Sequence, residues 1–458
     1  MTDSRIERAA AMPSLAAALR SRLGRNTALN LIGLGVPLAI AVVVLPVLTH
    51  ALGPARFGLL GMSWAFLEYL QLFDVGLGRA TIRYVADSLA RDTHDVSQIT
   101  SVSLSTQLVI GSLAGVGLAL ASPALARHVF RIDPGLTGEA TRLFMVVGLN
   151  LPAVLAMTTL RGVLEGAQRF AVSNAIKIPG SAGAVIIPAV LAYMGASLPT
   201  MLLWVFVWRV LICIVSAVAI RAVVPHFRVE PPRDWRRLRG LISFGGWVAV
   251  TGVVSPMLVY FDRFALGARH GLAAVGYYTA PYEGITRLLM IPISLITALF
   301  PLLTGLSAAA ALARVDRLFS SSMRVVLAVM GLPALIALVF APEILRIWMG
   351  PVYAAEGATA LRILAVGVLI NAAAQIPYTF LEAAGRPDVP AKFHVAELVV
   401  HLPIAWWLVG AYGIDGAALA WTLRVTIDTT LLLLAAHRIV PVSLRAVVTG
   451  HPPLSAAS

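Results

Sequence analysis

The sequence predicts an all-α polytopic membrane protein, with about twelve transmembrane helices in two six-helix lobes related by a pseudo-twofold axis along the membrane normal. Three observations carry this reading. They are an apolar composition, apolar runs whose loops alternate in charge, and motifs that recur 217 to 219 residues apart. Hydrophobic residues make up 59% of the 458 and charged residues 12%, and mean hydropathy is +0.86. A soluble domain carries about 25% charge and about 45–50% apolar residues, so a soluble enzyme of several domains is excluded.

A spanning helix needs about 20 apolar residues at about 1.5 Å rise each. The first run, Thr27 to Thr49, is uncharged and follows five arginines. It is too long for the apolar region of a signal peptide and reads as a retained span. Further runs lie at 57–78, 99–122, 140–160, 172–194 and 199–220. After a polar stretch come 241–263, 275–303, 323–343, 358–381, 391–411 and 416–437.

Loop charge tests the count. With a cytoplasmic N-terminus, the cytoplasmic segments hold 21 arginines and the opposite loops hold 5. That split is the positive-inside pattern, with both termini cytoplasmic. The net charge of +13 therefore reflects arginines facing anionic lipid, together with an anionic cargo, rather than a nucleic-acid partner.

The linker 221–240 carries six arginines and three prolines and divides six spans from six. The expected organisation is a cytoplasmic tail 1–26, an N-lobe 27–220, this linker, a C-lobe 241–437 and a cytoplasmic tail 438–458. Leu164-Glu165-Gly166-Ala167-Gln168-Arg169 after span four recurs as Leu381-Glu382-Ala383-Ala384-Gly385-Arg386 after span ten. Val147-Gly148 recurs as Val366-Gly367, and Ala192-Tyr193 as Ala411-Tyr412. An even number of spans per half gives both halves the same orientation, hence an axis along the membrane normal. Two such lobes around a cleft make a transporter architecture, which by itself fixes no cargo.

Ionisable groups inside a bilayer are costly and usually face a wet cavity or a partner. Glu283 and Arg287 are four apart on span eight, as are Arg424 and Asp428 on span twelve. Each pair is equally well read as a local ion pair. Asp262 and Arg263 are adjacent near the outer end of span seven, where snorkelling is an ordinary explanation. Glu397 could meet His394 or His401, and Asp74 and Arg79 flank the end of span two. Glu68 lies in span two. No carboxylate lies three or four residues from Lys177, Arg209 or Arg362 on their own helices. Arg209, in the middle of span six, has the least room to snorkel and points to a buried partner or an anion-binding cavity. No spacing makes a metal site, and no cofactor is expected. Cys213 stands alone and reads as a small hydrophobe. Prolines such as Pro152, Pro179, Pro377 and Pro403 interrupt the spans and allow bends.

Several short motifs mark the chain. In the first half they are Asn26-Thr-Ala-Leu-Asn30, Leu52-Gly53-Pro54-Ala55-Arg56-Phe57-Gly58, Asp74-Val75-Gly76-Leu77-Gly78-Arg79-Ala80 and Gly162 to Phe170. In the second they are Ser243-Phe-Gly-Gly246, Tyr260-Phe261-Asp262-Arg263-Phe264-Ala-Leu266-Gly267, Val275-Gly276-Tyr277-Tyr278, Pro301 and Leu381 to Pro387. In order and spacing they resemble the bacterial oligosaccharide (O-antigen, Wzx-like) flippases of the multidrug/oligosaccharidyl-lipid/polysaccharide exporter superfamily. The resemblance covers roughly residues 25 to 440. It implies movement of an undecaprenyl-pyrophosphate-linked oligosaccharide across the bacterial inner membrane by alternating access, for O-antigen, capsule or exopolysaccharide synthesis. In that reading Lys177, Arg209, Arg287 and Arg362 neutralise pyrophosphate or acidic sugars. Asp262-Arg263 matches the family's acidic–basic pair, and Glu68, Glu283, Glu397 and Asp428 are the candidate proton carriers. A polysaccharide polymerase and chain-length proteins are candidate partners. No catalytic residues are expected, since flipping breaks no covalent bond.

Other readings stay open. A major-facilitator or drug-exporting transporter shares the two-lobe plan. The turn Asp74 to Arg79 departs from the major-facilitator pattern, however, and span one lacks the acidic residue of the drug exporters. A membrane-embedded polymerase or glycosyltransferase needs a sizeable outer loop, and the longest here, 123–139, has 17 residues.

Overall fold

The computed structural model describes residues 22–70, 74, 76–91, 95–224, 227–228, 230–231, 236–293, 312–386 and 388–440. Most of the expected tails, linker residues 225–226, 229 and 232–235, and the end of the expected eighth span with Pro301 lie outside the described residues.

Every regular element among the described residues is helical. The α-helices in chain order are α1 (Arg22–Leu70), α2 (Leu77–Ala90), α3 (Val96–Ala124), α4 (Pro134–Gly166), α5 (Phe170–Tyr193), α6 (Leu198–Val223), α7 (Arg236–Thr286), α8 (Leu312–Val339), α9 (Ala341–Met349), α10 (Pro351–Ala383) and α11 (Asp388–Ile439), with short helical turns at Leu125–Val129 and Arg287–Leu289. Eight stretches among them are long and apolar enough to cross a membrane. This is a multi-pass membrane protein. Large apolar side chains such as Leu113, Val218, Leu332 and Val399 stand exposed on its exterior, where lipid is the solvent.

Three helices are too long for one crossing. The 52 residues of α11 would reach about 78 Å against a hydrocarbon core of about 30 Å. Each of the three breaks at a glycine with positive φ: Gly53 in α1, Gly271 in α7 and Gly413 in α11. Only glycine adopts that conformation at little cost. The prolines do not interrupt the helices. Pro152, Pro179, Pro188, Pro333, Pro377 and Pro403 all lie inside continuous ones. Two stretches expected as loops between spans, 79–98 and 344–357, turn out to be partly helical, with α2 entering the first from Leu77 and α9 the second from Ala341.

The positive-φ residues recur along the chain. Gly53 and Gly271, and Gly195 and Gly413, are 218 apart, Arg131 and Gly350 are 219, and Gln168 and Gly385 are 217. The counterpart of Gly76 falls outside the described residues. The repeated hexapeptide has a physical reason. After α4, Arg169 N–H donates to Leu164 C=O at 2.8 Å and Gln168 N–H to Glu165 C=O at 2.9 Å. After α10, Arg386 N–H donates to Leu381 C=O at 2.9 Å and Gly385 N–H to Glu382 C=O at 3.0 Å. Both are the double hydrogen-bond cap that closes a helix through one left-handed residue. Just beyond the second cap, Arg386 and Lys392 bond the Asp388 carboxylate at 3.0 and 2.9 Å and hold it below its usual titration range.

Small residues bring the helices together, since lipid supplies no hydrophobic drive between them. Gly115 of α3 and Gly148 of α4 meet so closely that a Cβ on either would lie 2.4 Å from the other's carbonyl oxygen. Gly162 and Gly166 seat α4 on the backbone of α2 at Gly78 and Ile82. The first half of the chain meets the second around turns expected on one side of the membrane. Trp348 Nε1 donates to Val42 C=O at 2.7 Å, the Phe57 ring meets Tyr353 at 6.5 Å, and Phe66 stacks edge-on to Phe264 at 4.9 Å.

Candidate functional site

Helical periodicity places five polar stripes around one space. On α5, Ser173, Lys177, Gly180, Ser181 and Ala184 fall three or four apart, so they share a face. Val205, Arg209, Ile212 and Ser216 do so on α6, and Val154, Met157, Thr158 and Arg161 on α4. Trp64 and Glu68 come from α1, and Tyr260, Arg263 and Glu283 from α7, with Arg287 in the turn that follows it.

These stripes line two adjoining chambers that share Glu68, Ala184 and Arg209. The larger, about 410 Å³, is walled by α4, α5 and α6 and carries Arg161, Lys177 and the hydroxyls of Thr158, Ser173, Ser181 and Ser216. The smaller, about 200 Å³, lies between α1, α5, α6 and α7 and carries Trp64, Tyr260, Arg263, Glu283 and Arg287. Five cations and two carboxylates therefore line the pair among the described residues. An excess of fixed positive charge inside low-dielectric walls selects an anion.

Arg161 Nε donates to Glu165 Oε1 one turn on at 2.8 Å, and the three deeper arginines are each held differently. Arg209 Nη1 donates to Asn150 Oδ1 at 2.7 Å. The Asn150 amide nitrogen donates in turn to Val146 C=O at 2.8 Å, which turns the amide oxygen toward the guanidinium. Arg263 is 1% exposed. Its Nη2 donates to Glu283 Oε1 at 2.7 Å, and its guanidinium lies over the Tyr260 and Tyr282 rings at 5.0 and 4.8 Å. Arg287 Nη2 reaches the other oxygen of the same carboxylate, Glu283 Oε2, at 3.0 Å. Glu283 thus clamps two arginines. Asp262 accepts from the Arg263 amide at 2.8 Å and from the Tyr278 hydroxyl.

Of the residues singled out in the sequence, Glu68, Lys177, Arg209, Arg263, Glu283 and Arg287 come together here. Arg362 lines neither chamber. Its Nε donates to Leu338 C=O at 3.2 Å, across to α8. Asp262 and Arg263 are buried rather than snorkelled to an interface. Arg424 and Asp428 do not pair with each other along their helix. Arg424 Nη1 lies 3.8 Å from Glu397 Oε2, and Asp428 Oδ1 lies 3.6 Å from His394 Nε2. Asn150 and Tyr260 were not singled out, although a lone asparagine in an apolar span was a visible signal. Arg161 falls just past the expected end of span four at 160, whereas α4 runs on to Gly166.

Comparison with known proteins bears on the family. Residues 23–307 match the family described as polysaccharide biosynthesis protein, and residues 249–407 match the family described as MatE. The chain belongs to the polysaccharide biosynthesis protein family. A putative O-antigen transporter of Shigella flexneri is 30% identical over 413 residues, which is 89% of this chain and 96% of that one. Among solved structures, an inward-facing multidrug resistance MATE transporter of the MOP superfamily superposes with a TM-score of 0.77 at 13% identity, covering 89% of this chain and 98% of that one. The lipid II flippase MurJ in an inward closed conformation superposes with a TM-score of 0.69 at 12% identity, covering 93% and 89%. That relative and these two fold neighbours are described as transporters or flippases rather than enzymes.

Proposed function

We propose that this chain is a flippase that moves lipid-linked oligosaccharide repeat units, joined to their polyprenyl carrier by pyrophosphate, across the bacterial inner membrane. The observation that carries this is the double chamber. It gathers Lys177 and Arg209 from the first half of the chain and Arg263 and Arg287 from the second around one space. An anion seated there contacts both halves, so closing and opening the halves around it can carry it across. The hydroxyl-rich larger chamber suits a glycan, and the arginine-rich smaller one suits a diphosphate. The O-antigen transporter relative points to the same cargo.

The layout that serves this is twelve spans in two lobes, 27–220 and 241–437, with a basic linker between them and both termini cytoplasmic. The recurrence of the helix-ending turns at 217 to 219 residues supports it. A polymerase acting on the flipped unit is the natural downstream partner. Expression in a bacterium deleted for its own O-antigen transporter tests the proposal. Restored surface glycan supports it. Unchanged accumulation of the lipid-linked unit on the inner leaflet, with normal protein level, counts against it.

A further inference from the structure

One contact between the two halves of the chain joins a helix defect in one half to a side chain of the other. Pro46 lies within the helical run of α1 and has no N–H to offer the Val42 carbonyl four residues back. That carbonyl is served from the second half instead, where Trp348 Nε1 of α9 donates to it at 2.7 Å. The indole reaches it by lying against Gly284 of α7, where a Cβ would come within 2.5 Å of ring atom Cζ3. A larger residue there would push the ring away. The next residue of α9, Met349, brings its sulfur to 3.4 Å from the Thr49 hydroxyl of α1.

The internal repeat shows that these features belong together. The glycine breaks set an offset of 218 and the Arg131–Gly350 pair an offset of 219. Trp348 then corresponds to Val129, Pro46 to Phe264 and Gly284 to Phe66. The twin position therefore has no indole donor, no carbonyl freed by a proline and no gap for a ring. Phe66 and Phe264 fill it, edge-on to each other at 4.9 Å. Donor, acceptor and the space between them occur together at one position and are missing together at its twin.

We propose that Trp348, Pro46 and Gly284 form a one-sided latch between the halves, closed in this structure, that releases when the halves part at α9. The latch stands at the edge of the smaller chamber. Val42 is one helical turn from Leu45, and Gly284 adjoins Glu283, and both Leu45 and Glu283 line that chamber. Parting of α1 from α9 opens a gap there and leaves the Val42 carbonyl with no protein partner. A carbonyl without a partner in apolar surroundings is costly, whereas water entering the gap satisfies it. The latch therefore holds the dry, closed arrangement and yields when water enters.

The latch presupposes that the halves move against each other, as the carrier reading requires, and its test needs no cargo, so the two fail separately. Full-length protein in lipid nanodiscs carries spin labels at Gly135→Cys and Val352→Cys, on exposed turns of the two halves, with Cys213→Ala as background. Pulsed electron–electron double resonance reads the ratio of parted to closed molecules. Trp348→Phe keeps a ring against Gly284 and removes only the N–H. It should raise that ratio by roughly two- to tenfold, the effect of losing one hydrogen bond. Gly284→Ala leaves both bonding partners in place and should shift the ratio the same way. Pro46→Ala gives the Val42 carbonyl a helix donor, so Trp348→Phe should change the ratio less in that background than in the wild type. A ratio that stays at the wild-type value in both Trp348→Phe and Gly284→Ala overturns the latch. So does a Trp348→Phe effect as large with Pro46→Ala as without it, because the indole bond then owes nothing to the proline. The predicted shifts in a protein that moves no lipid-linked glycan keep the latch and remove the cargo assignment.

Discussion

Gly58 and Gly276 are equivalent residues 218 positions apart, and they pack against each other. A Cβ on Gly58 would lie 1.8 Å from the carbonyl oxygen of Leu272, and one on Gly276 would lie 2.3 Å from the carbonyl oxygen of Pro54. Leu272 and Pro54 are themselves 218 apart, so the contact is reciprocal. One turn further on, a Cβ on Gly61 would lie 3.0 Å from its own counterpart, Thr279. Residues that touch their own equivalents lie along a two-fold axis. The two halves are thus pinned where α1 and α7 emerge from their glycine breaks.

Gly58→Ala forces these backbones apart. Overpacking of this kind costs about 1–3 kcal/mol, read as a lower unfolding midpoint in lipid nanodiscs. Gly331→Ala is the control. Nothing lies within 4 Å of that added Cβ, and alanine is the better helix former, so its midpoint should hold or rise.

Asn150→Leu leaves the charge of Arg209 in place but removes the acceptor that aims it. A lost hydrogen bond to a charged group is worth about 1.5–3 kcal/mol, so pyrophosphate affinity should fall by roughly tenfold or more. Arg209→Ala should fall at least as far and reduce surface glycan with protein level intact. Equal affinity in wild type and Asn150→Leu, measured by calorimetry, would remove the positioning role.

Arg263→Met leaves Glu283 buried with Arg287 as its remaining partner. Breaking a buried pair from one side costs about 3–5 kcal/mol. The double variant with Glu283→Met should recover part of that stability, because no carboxylate is then stranded. Thermal unfolding of the two variants side by side checks the order.

The all-helical, membrane-spanning class is legible in the sequence where physics leaves a periodic trace. Apolar runs gave the helices, and the Leu-Glu hexapeptide gave the repeat because each copy must build the same cap. Arg209 and Lys177 stood out as cations in apolar surroundings, and both line the chambers. The partners were not legible. Arg424 has a carboxylate four residues ahead, yet it lies by Glu397, which is 27 positions behind it, because α11 reverses at Gly413. Arg263 looked free to snorkel until Tyr260, Tyr282 and Glu283 closed around it. Spacing along one helix cannot report contacts made between helices.

The proposed orientation makes a separate prediction. Reporter fusions at residue 458 and in the linker near residue 230 should both read as cytoplasmic, and a fusion in the turn near Gly195 as periplasmic. A periplasmic C-terminus would remove the twelve-span layout and leave the chamber chemistry unchanged.

The most direct measurement is flipping itself. Purified full-length protein in liposomes is given a fluorescent polyprenyl-diphosphate oligosaccharide, and the fraction protected from a membrane-impermeant quencher is followed in time. The account predicts rapid exchange between leaflets with wild type and a loss of at least tenfold with Arg209→Ala or Arg287→Ala, each at normal folding. Exchange by wild type no faster than in protein-free liposomes, or undiminished in both variants, would contradict it.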